Sequence, residues 1–225
     1  MKVIIFDLDN TLYPEETYVQ SGFKAVARYL SNKYDCNFEK LFLKIMDIFY
    51  KEGRGKVFDK LVSDLNFKEE VSTLVYIYRY HFPDISLYPE SIPLLNNLKN
   101  KYKLALITDG RSFVQKRKVE ALNIEDYFDV VIFTDVLGEN YWKPSIESYK
   151  LVLSILNCDA NDACYIGDDP YKDFKAPKKL GMKSIQVKIE DEINYWKKRG
   201  YERFDADFKV NSLNEILGVL NEDWK

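Results

Sequence analysis

Three short apolar runs, KVIIFD at 2–7, KLALITD at 103–109 and ACYIGDD at 163–169, each close on Asp or on Thr followed by Asp. Such runs, bounded by polar residues, read as strands buried on both faces of a parallel sheet, with the carboxylates and the hydroxyl at strand C-termini. In open α/β sheets ligands bind in the crevice outside those ends. The continuations FDLDNTL and GDDPYKD bring Asp7, Asp9, Asp168 and Asp173 within reach of one crevice. Carboxylates left unpaired at one mouth raise one another's pKa values and protonate, so this set calls for a cation. Oxygen-only ligands favour Mg²⁺ or a similarly hard ion. Asp7 and Asp9 are two residues apart, and an extended segment points both the same way with Leu8 opposite. One can attack while the other handles protons.

After residue 13 the pattern changes. Apolar residues recur at helical spacing from Thr17 to Phe82: Val19, Phe23, Val26, Leu30 and Tyr34, then Leu41, Ile45 and Ile48, then Val57, Leu61 and Leu65, then Val71, Leu74 and Tyr78. Breaks near Asp35-Cys36-Asn37, Gly53-Arg54-Gly55 and Asn66 divide this stretch into about four helices. Pro83 and Pro89 mark the return, and Pro89 suits the first turn of a helix carrying Leu94, Leu95 and Leu98. Strands and helices then alternate: strands at 103–108, 129–134, 163–167 and 183–188, helices at 112–122, 145–157 and 171–180. A weak strand near 206–210 and a helix near 212–220 follow. The expected fold class is α/β, a doubly wound parallel sheet with an inserted all-helical domain. Residues 1–13 and 84–225 form the core and 14–83 the insertion.

The chain has 225 residues, 46% hydrophobic and 31% charged, with a net charge of −3. That balance gives no electrostatic reason to expect a nucleic-acid polymer as partner. The run VIIF is interrupted by Asp7, so neither a signal peptide nor a membrane span is expected. Cys36, Cys158 and Cys164 are odd in number without paired spacing, which reads as a reduced, cytoplasmic chain. The oligomeric state stays open between monomer and homodimer. The lone histidine, His81, leaves little room for His-based catalysis or a His-rich zinc site.

Four motifs in order give the chain its likeness. Asp7-Leu8-Asp9-Asn10-Thr11 follows the first strand; ALIT ends on Thr108; Lys143-Pro144 lies in GENYWKPSIESY; Gly167-Asp168 with Asp173 precedes KKLGMKSI. In this the chain resembles the haloacid dehalogenase-like hydrolase superfamily, mostly Mg²⁺-dependent phosphatases that work through an aspartyl-phosphate. The match covers nearly all residues outside 14–88. The resemblance implies that the insertion is a cap closing over the active site and that Thr108 is a phosphate ligand. It also implies that the residue at Asp9 ligates metal through its backbone carbonyl.

On that footing Asp7 is the expected nucleophile, since a carboxylate ionised at neutral pH needs no activating base. Asp9 is the expected general acid and base, which requires a pKa above that of its metal-bound neighbour. Lys143, Mg²⁺ and Thr108 surround the charge that phosphoryl transfer spreads over the equatorial oxygens. Pro144-Ser145 opens a predicted helix, which gives Lys143 a fixed starting point. Asp109 stands where related sequences often have Asn. If its backbone N–H faces phosphate, its carboxylate must turn away or pair with a cation such as Arg111. Gly110 eases close backbone approach, and a simple turn explains it equally.

Asp168 is the second side-chain metal ligand, Asp173 an outer-shell acid, and Asp169 competes for either role. Asp135 ends VVIFTD at the same sheet edge and is either a site acid or a loop residue. Substrate choice is expected in the cap and in the loop after Asp9, at Tyr13, Glu15, Glu16 and Arg54. An exposed Arg in a helix–helix turn explains Arg54 as well. The expected reaction is hydrolysis of a small phosphomonoester: a nucleotide, a sugar phosphate or an organic-acid phosphate. A phosphomutase using the same intermediate and a non-catalytic phosphate-binding scaffold are the alternatives. The dehalogenase branch is disfavoured because it needs neither Asp9 nor the metal.

Overall fold

A computed structural model describes residues 2–189 and 202–222 of the chain. The chain divides into two compact units, one formed by Met1–Glu15 with Ser86–Lys225 and the other by Glu16–Ile85.

Among the described residues the first unit is built on a six-stranded, all-parallel sheet in the order β3-β2-β1-β4-β5-β6. The strands are β1 (Val3–Phe6), β2 (Lys103–Thr108), β3 (Val130–Phe133), β4 (Ala163–Gly167), β5 (Lys183–Val187) and β6 (Phe208–Val210). Side chains alternate between faces. Val3, Ile5, Ala105, Ile107, Ala163 and Tyr165 pack with Tyr149, Val152, Phe174 and Ala176, while Ile4, Phe6, Leu104, Leu106, Cys164 and Ile166 are equally buried. Both faces being covered, the strands read as continuous apolar runs. β1 is central, paired with β2 on one side and β4 on the other, so the direction of winding reverses beside it. The ends of β1, β2 and β4 that carry Asp7, Thr108 and Asp168 are therefore neighbours.

The helices of this unit are α5 (Ser91–Lys99), α6 (Ser112–Leu122), α7 (Glu147–Ile155), α8 (Lys175–Leu180) and α9 (Ile216–Glu222). Three helix starts differ from expectation. Pro89 stands one residue before the cap position Glu90 of α5 rather than inside the helix. α7 begins at Glu147, because the Lys143 N–H goes to Asp109 Oδ1 and the Ser145 N–H to the Trp142 carbonyl in a turn. α8 begins at Lys175 rather than 171, because residues 168–173 wrap a carboxylate: the N–H groups of Asp168 and Asp169 donate to Asp173 Oδ2.

The second unit holds α1 (Glu15–Tyr34), α2 (Phe38–Glu52), α3 (Val57–Leu65) and α4 (Val71–Tyr80). Its breaks have local causes. Asn37 caps α2 by accepting from the Lys40 N–H at 2.8 Å, Gly53 ends it at φ 78°, and Asn66 ends α3 in the left-handed region. Phe23 sits at the centre, with ring centroids 5.4 Å from Phe49, 5.9 Å from Phe58 and 5.4 Å from Tyr78. Gly22 lets α1 approach α4, since a Cβ there would lie 2.5 Å from the Tyr78 ring. Leu65, expected on the buried face, is 39% exposed at the end of α3. No helix of the described residues is long and apolar enough to cross a membrane.

Candidate active site

The β1–β4 ladder runs one residue past β1, with the Asp7 N–H donating to the Ile166 carbonyl at 2.8 Å. This sets Asp7 beside the turn that starts at Gly167. The chain then folds back: Leu8 O accepts from the N–H of Leu12, and Asn10, at φ 55°, accepts from the Glu15 N–H through its side chain. The fold-back brings the Tyr13 hydroxyl onto Asp9 Oδ1.

Asp7 is 1% exposed, and the fully buried Lys143 ammonium lies 2.7 Å from its Oδ1. The same ammonium is 2.9 Å from Asp173 Oδ1 and donates to the Tyr165 hydroxyl at 2.9 Å. Tyr165 in turn donates to Asp173 Oδ1 at 3.1 Å, and Asp173 Oδ2 takes the two backbone N–H groups of the 168–169 turn. Both oxygens of Asp173 are thus engaged. Burial works against its charge, but Lys143 and Lys172 outweigh it and hold the carboxyl below its ordinary value. Burial also opposes the Lys143 charge, yet Asp173 and Asp7 keep its pKa raised. Gly167 is a packing requirement, because a Cβ there would meet Asp173 Oδ2 at 2.6 Å. Gly167→Ala is expected to push Asp173 off both N–H groups and to cost about 2 kcal/mol or more in urea denaturation.

Asp7 Oδ2 and Asp168 Oδ1 are buried with no hydrogen-bond partner among the described residues. Asp7, Asp168 and Asp173 form a group whose ligand atoms lie within 4.8 Å of one another. Burial pushes the Asp168 carboxyl well above its ordinary value; Lys172 opposes the rise, and Asp173, Asp7 and Asp169 add to it. Two buried carboxylate oxygens that accept no hydrogen bond, among mutually repelling acids, fit a hard divalent cation. Asp173 is left to support from behind, since its oxygens are used. Asp169 binds within its own turn, accepting from the Tyr171 N–H at 2.9 Å.

Asp9 has a separate set of partners. Lys118 Nζ is 2.6 Å from Oδ1, and Gln115 Nε2 donates to Oδ2 at 3.0 Å. Burial favours the neutral acid, but Lys118 and the hydrogen bonds from Lys118, Tyr13 and Gln115 lower its pKa to about 2. For Asp7 burial prevails over Lys143 and Lys172 and raises it to about 6. The order expected from the sequence applies to a metal-bound Asp7; among these side chains alone Asp9 is the stronger acid. The reason is that Asp9 has three donors while one oxygen of Asp7 has only the Lys172 ammonium at 3.5 Å.

Thr108, at the end of β2, is fully buried, and its Oγ1 accepts from Gln115 Nε2. The Asp109 carboxylate turns away from the crevice, accepting from the Thr134 hydroxyl at 2.8 Å and the Lys143 N–H at 3.2 Å. Arg111 is not its partner: it lies 3.5 Å from Asp135 and 3.0 Å from Glu139. Asp135 accepts the Ser112 N–H at 2.9 Å and so tethers the first turn of α6. Gly110 has φ 117°, a conformation that favours glycine. Tyr13 is fully buried and committed to Asp9, whereas Arg54 is exposed in the turn between α2 and α3.

Sequence reasoning missed Gln115, Lys118, Lys172 and Tyr165. Gln115 and Lys118 share the inward stripe of α6 with Val114, Val119 and Leu122. Polar residues on the apolar stripe of a helix were the available signal.

A profile of the haloacid dehalogenase-like hydrolase family matches residues 4–187. The glyceraldehyde 3-phosphate phosphatase of Methanocaldococcus jannaschii is 31% identical over 98% of this chain and 97% of its own length. The phosphoglycolate phosphatase of Aquifex aeolicus is 28% identical over 98% and 97%. Among solved structures, a HAD phosphatase from Thermococcus onnurineus superposes with a TM-score of 0.63 at 24% identity, covering 98% of each chain.

Proposed function

The chain belongs to the haloacid dehalogenase-like hydrolases, and from that membership we propose that it is a Mg²⁺-dependent phosphatase of small phosphomonoesters. The observation that carries this reading is the pair of buried oxygens on Asp7 and Asp168 that accept no hydrogen bond, beside the Lys143 ammonium. Full-length relatives named for glyceraldehyde 3-phosphate and for phosphoglycolate support a substrate of two or three carbons esterified through a primary alcohol.

Asp7 and Asp168 would hold the Mg²⁺ ion, which would supply positive charge to the phosphoryl oxygens. Asp7 attacks phosphorus, so that an O–P bond to its carboxylate forms as the ester P–O bond breaks. The leaving alkoxide takes a proton from the Asp9 carboxyl. A water then attacks the phosphoryl group and gives its proton to Asp9, and the Asp7 carboxylate is released with inorganic phosphate. Lys143 neutralises Asp7 as it approaches a dianion, and Thr108 with the N–H groups of the 109–110 loop face the transferred oxygens. In this reading Asp9 must gain a proton that its resting partners disfavour. The second negative charge brought by the substrate phosphate works in that direction.

The test is phosphate release from nucleotides, sugar phosphates, glyceraldehyde 3-phosphate and phosphoglycolate, in Mg²⁺ and in EDTA. Release in Mg²⁺ from at least one short-chain ester is expected, with a loss on the order of 100-fold in EDTA. Equal rates in Mg²⁺ and EDTA, or no release from any compound, would overturn the reading.

A further inference from the structure

We propose that Gln115 is a positioning residue that joins the proton-transferring carboxylate to the phosphate-binding hydroxyl. This rests on the phosphatase reading for the roles of Asp9 and Thr108. One amide nitrogen on α6 donates both its hydrogens, one to Asp9 Oδ2 at 3.0 Å and one to Thr108 Oγ1. These acceptors come from different strands, Asp9 from the segment after β1 and Thr108 from the end of β2. An ionised carboxylate only accepts, so the nitrogen end of the amide must face Asp9. With Oγ1 occupied as an acceptor, the hydroxyl hydrogen of Thr108 is directed elsewhere, toward whatever acceptor the crevice holds.

The amide itself is held in place. Gln115 is 1% exposed, one turn into α6, and its side chain passes 3.5 Å from where a Cβ on Gly110 would stand. Asp135 anchors that end of α6 through the Ser112 N–H. Lys118, one turn further along α6, and Tyr13 fix the other oxygen of Asp9. The carboxylate therefore has one rotational setting relative to Thr108, and the Gln115 amide is the direct link between the two groups.

A residue that only filled space here would affect all substrates alike. One that aims Asp9 matters in proportion to how much the leaving group needs a proton. Alkoxides need one; p-nitrophenolate barely does. Gln115→Met keeps the length and volume of the side chain and removes both donors. Its kcat is expected to fall on the order of 100-fold for an alkyl phosphomonoester and less than about 10-fold for p-nitrophenyl phosphate. Equal losses on the two substrates would overturn the proposal. Wild-type protein inactive on both substrates would instead sink the phosphatase reading. In that case crystal structures of wild type and Gln115→Met decide about Gln115: a carboxylate that leaves its wild-type orientation supports the link, and one that stays put refutes it.

Discussion

Asp7→Asn is expected to abolish phosphate release, with a loss on the order of 10⁴-fold or more, because the amide can neither attack phosphorus nor be regenerated by water. Residual release within about 10-fold of wild type would exclude Asp7 as the nucleophile. The same substitution has a second readout in EDTA. A carboxyl whose folded pKa is raised from 3.8 to about 6 binds its proton more tightly in the folded state. Its ionisation therefore lowers stability progressively as pH rises from about 4 to 6, and fully above that. Asn removes that term, so the variant is expected to be more stable than wild type at pH 7 by up to about 3 kcal/mol. The difference should close as the pH falls to 4. Urea unfolding at both pH values checks it, and a variant less stable at pH 7 would mean that the Lys143 contact outweighs the cost of burying the charge.

Lys143→Met is expected to fail on both counts, stability and activity. The ammonium lies between two buried carboxylates, 2.7 Å from Asp7 and 2.9 Å from Asp173, with no exposure of its own. Taking the ammonium from between two buried carboxylates leaves both short of counter-charge, which costs about 3–5 kcal/mol. Lys172, 3.5 Å from the far oxygen of Asp7, is too distant to replace it as a donor. Phosphate release should fall by on the order of 100-fold or more, since the nucleophile and the incoming dianion are left to repel one another. An unchanged urea midpoint would show that the cluster relaxes by protonation instead, and would move the stabilising role to Tyr165 and the backbone donors around Asp173.

The sheet could be read from the chain because strands covered on both faces must be apolar throughout, and β2 and β4 begin and end where those runs do. The acids could be read because they follow strands directly, where one residue's position fixes the next. Gln115 and Lys118 escaped because the helical pattern marks them only as polar residues on an apolar stripe, while what they meet is set by the packing of α6. Tyr165 reads as an ordinary core aromatic; its hydroxyl matters only because the loop carrying Asp173 returns across it. The starts of α7 and α8 were misjudged for a related reason. The Lys143 N–H goes to the distant Asp109 carboxylate, and those of Asp168 and Asp169 to the nearby Asp173 carboxylate, bonds that compete with the first helical turn.

The central place of β1 also governs the order in which this chain can assemble. Val3 aligns with Lys103 on one side and with Ala163 on the other, so the first strand to be synthesised has no partner until β2 is made and only one until β4 is. Residues 16–85 form a compact unit of their own that is synthesised between β1 and β2. At ordinary rates of translation, VIIF then waits on the order of ten seconds for β2 to appear. Through that interval it is an unpaired apolar strand, open to chaperones and to other nascent chains, and the length of the helical insertion sets how long the exposure lasts.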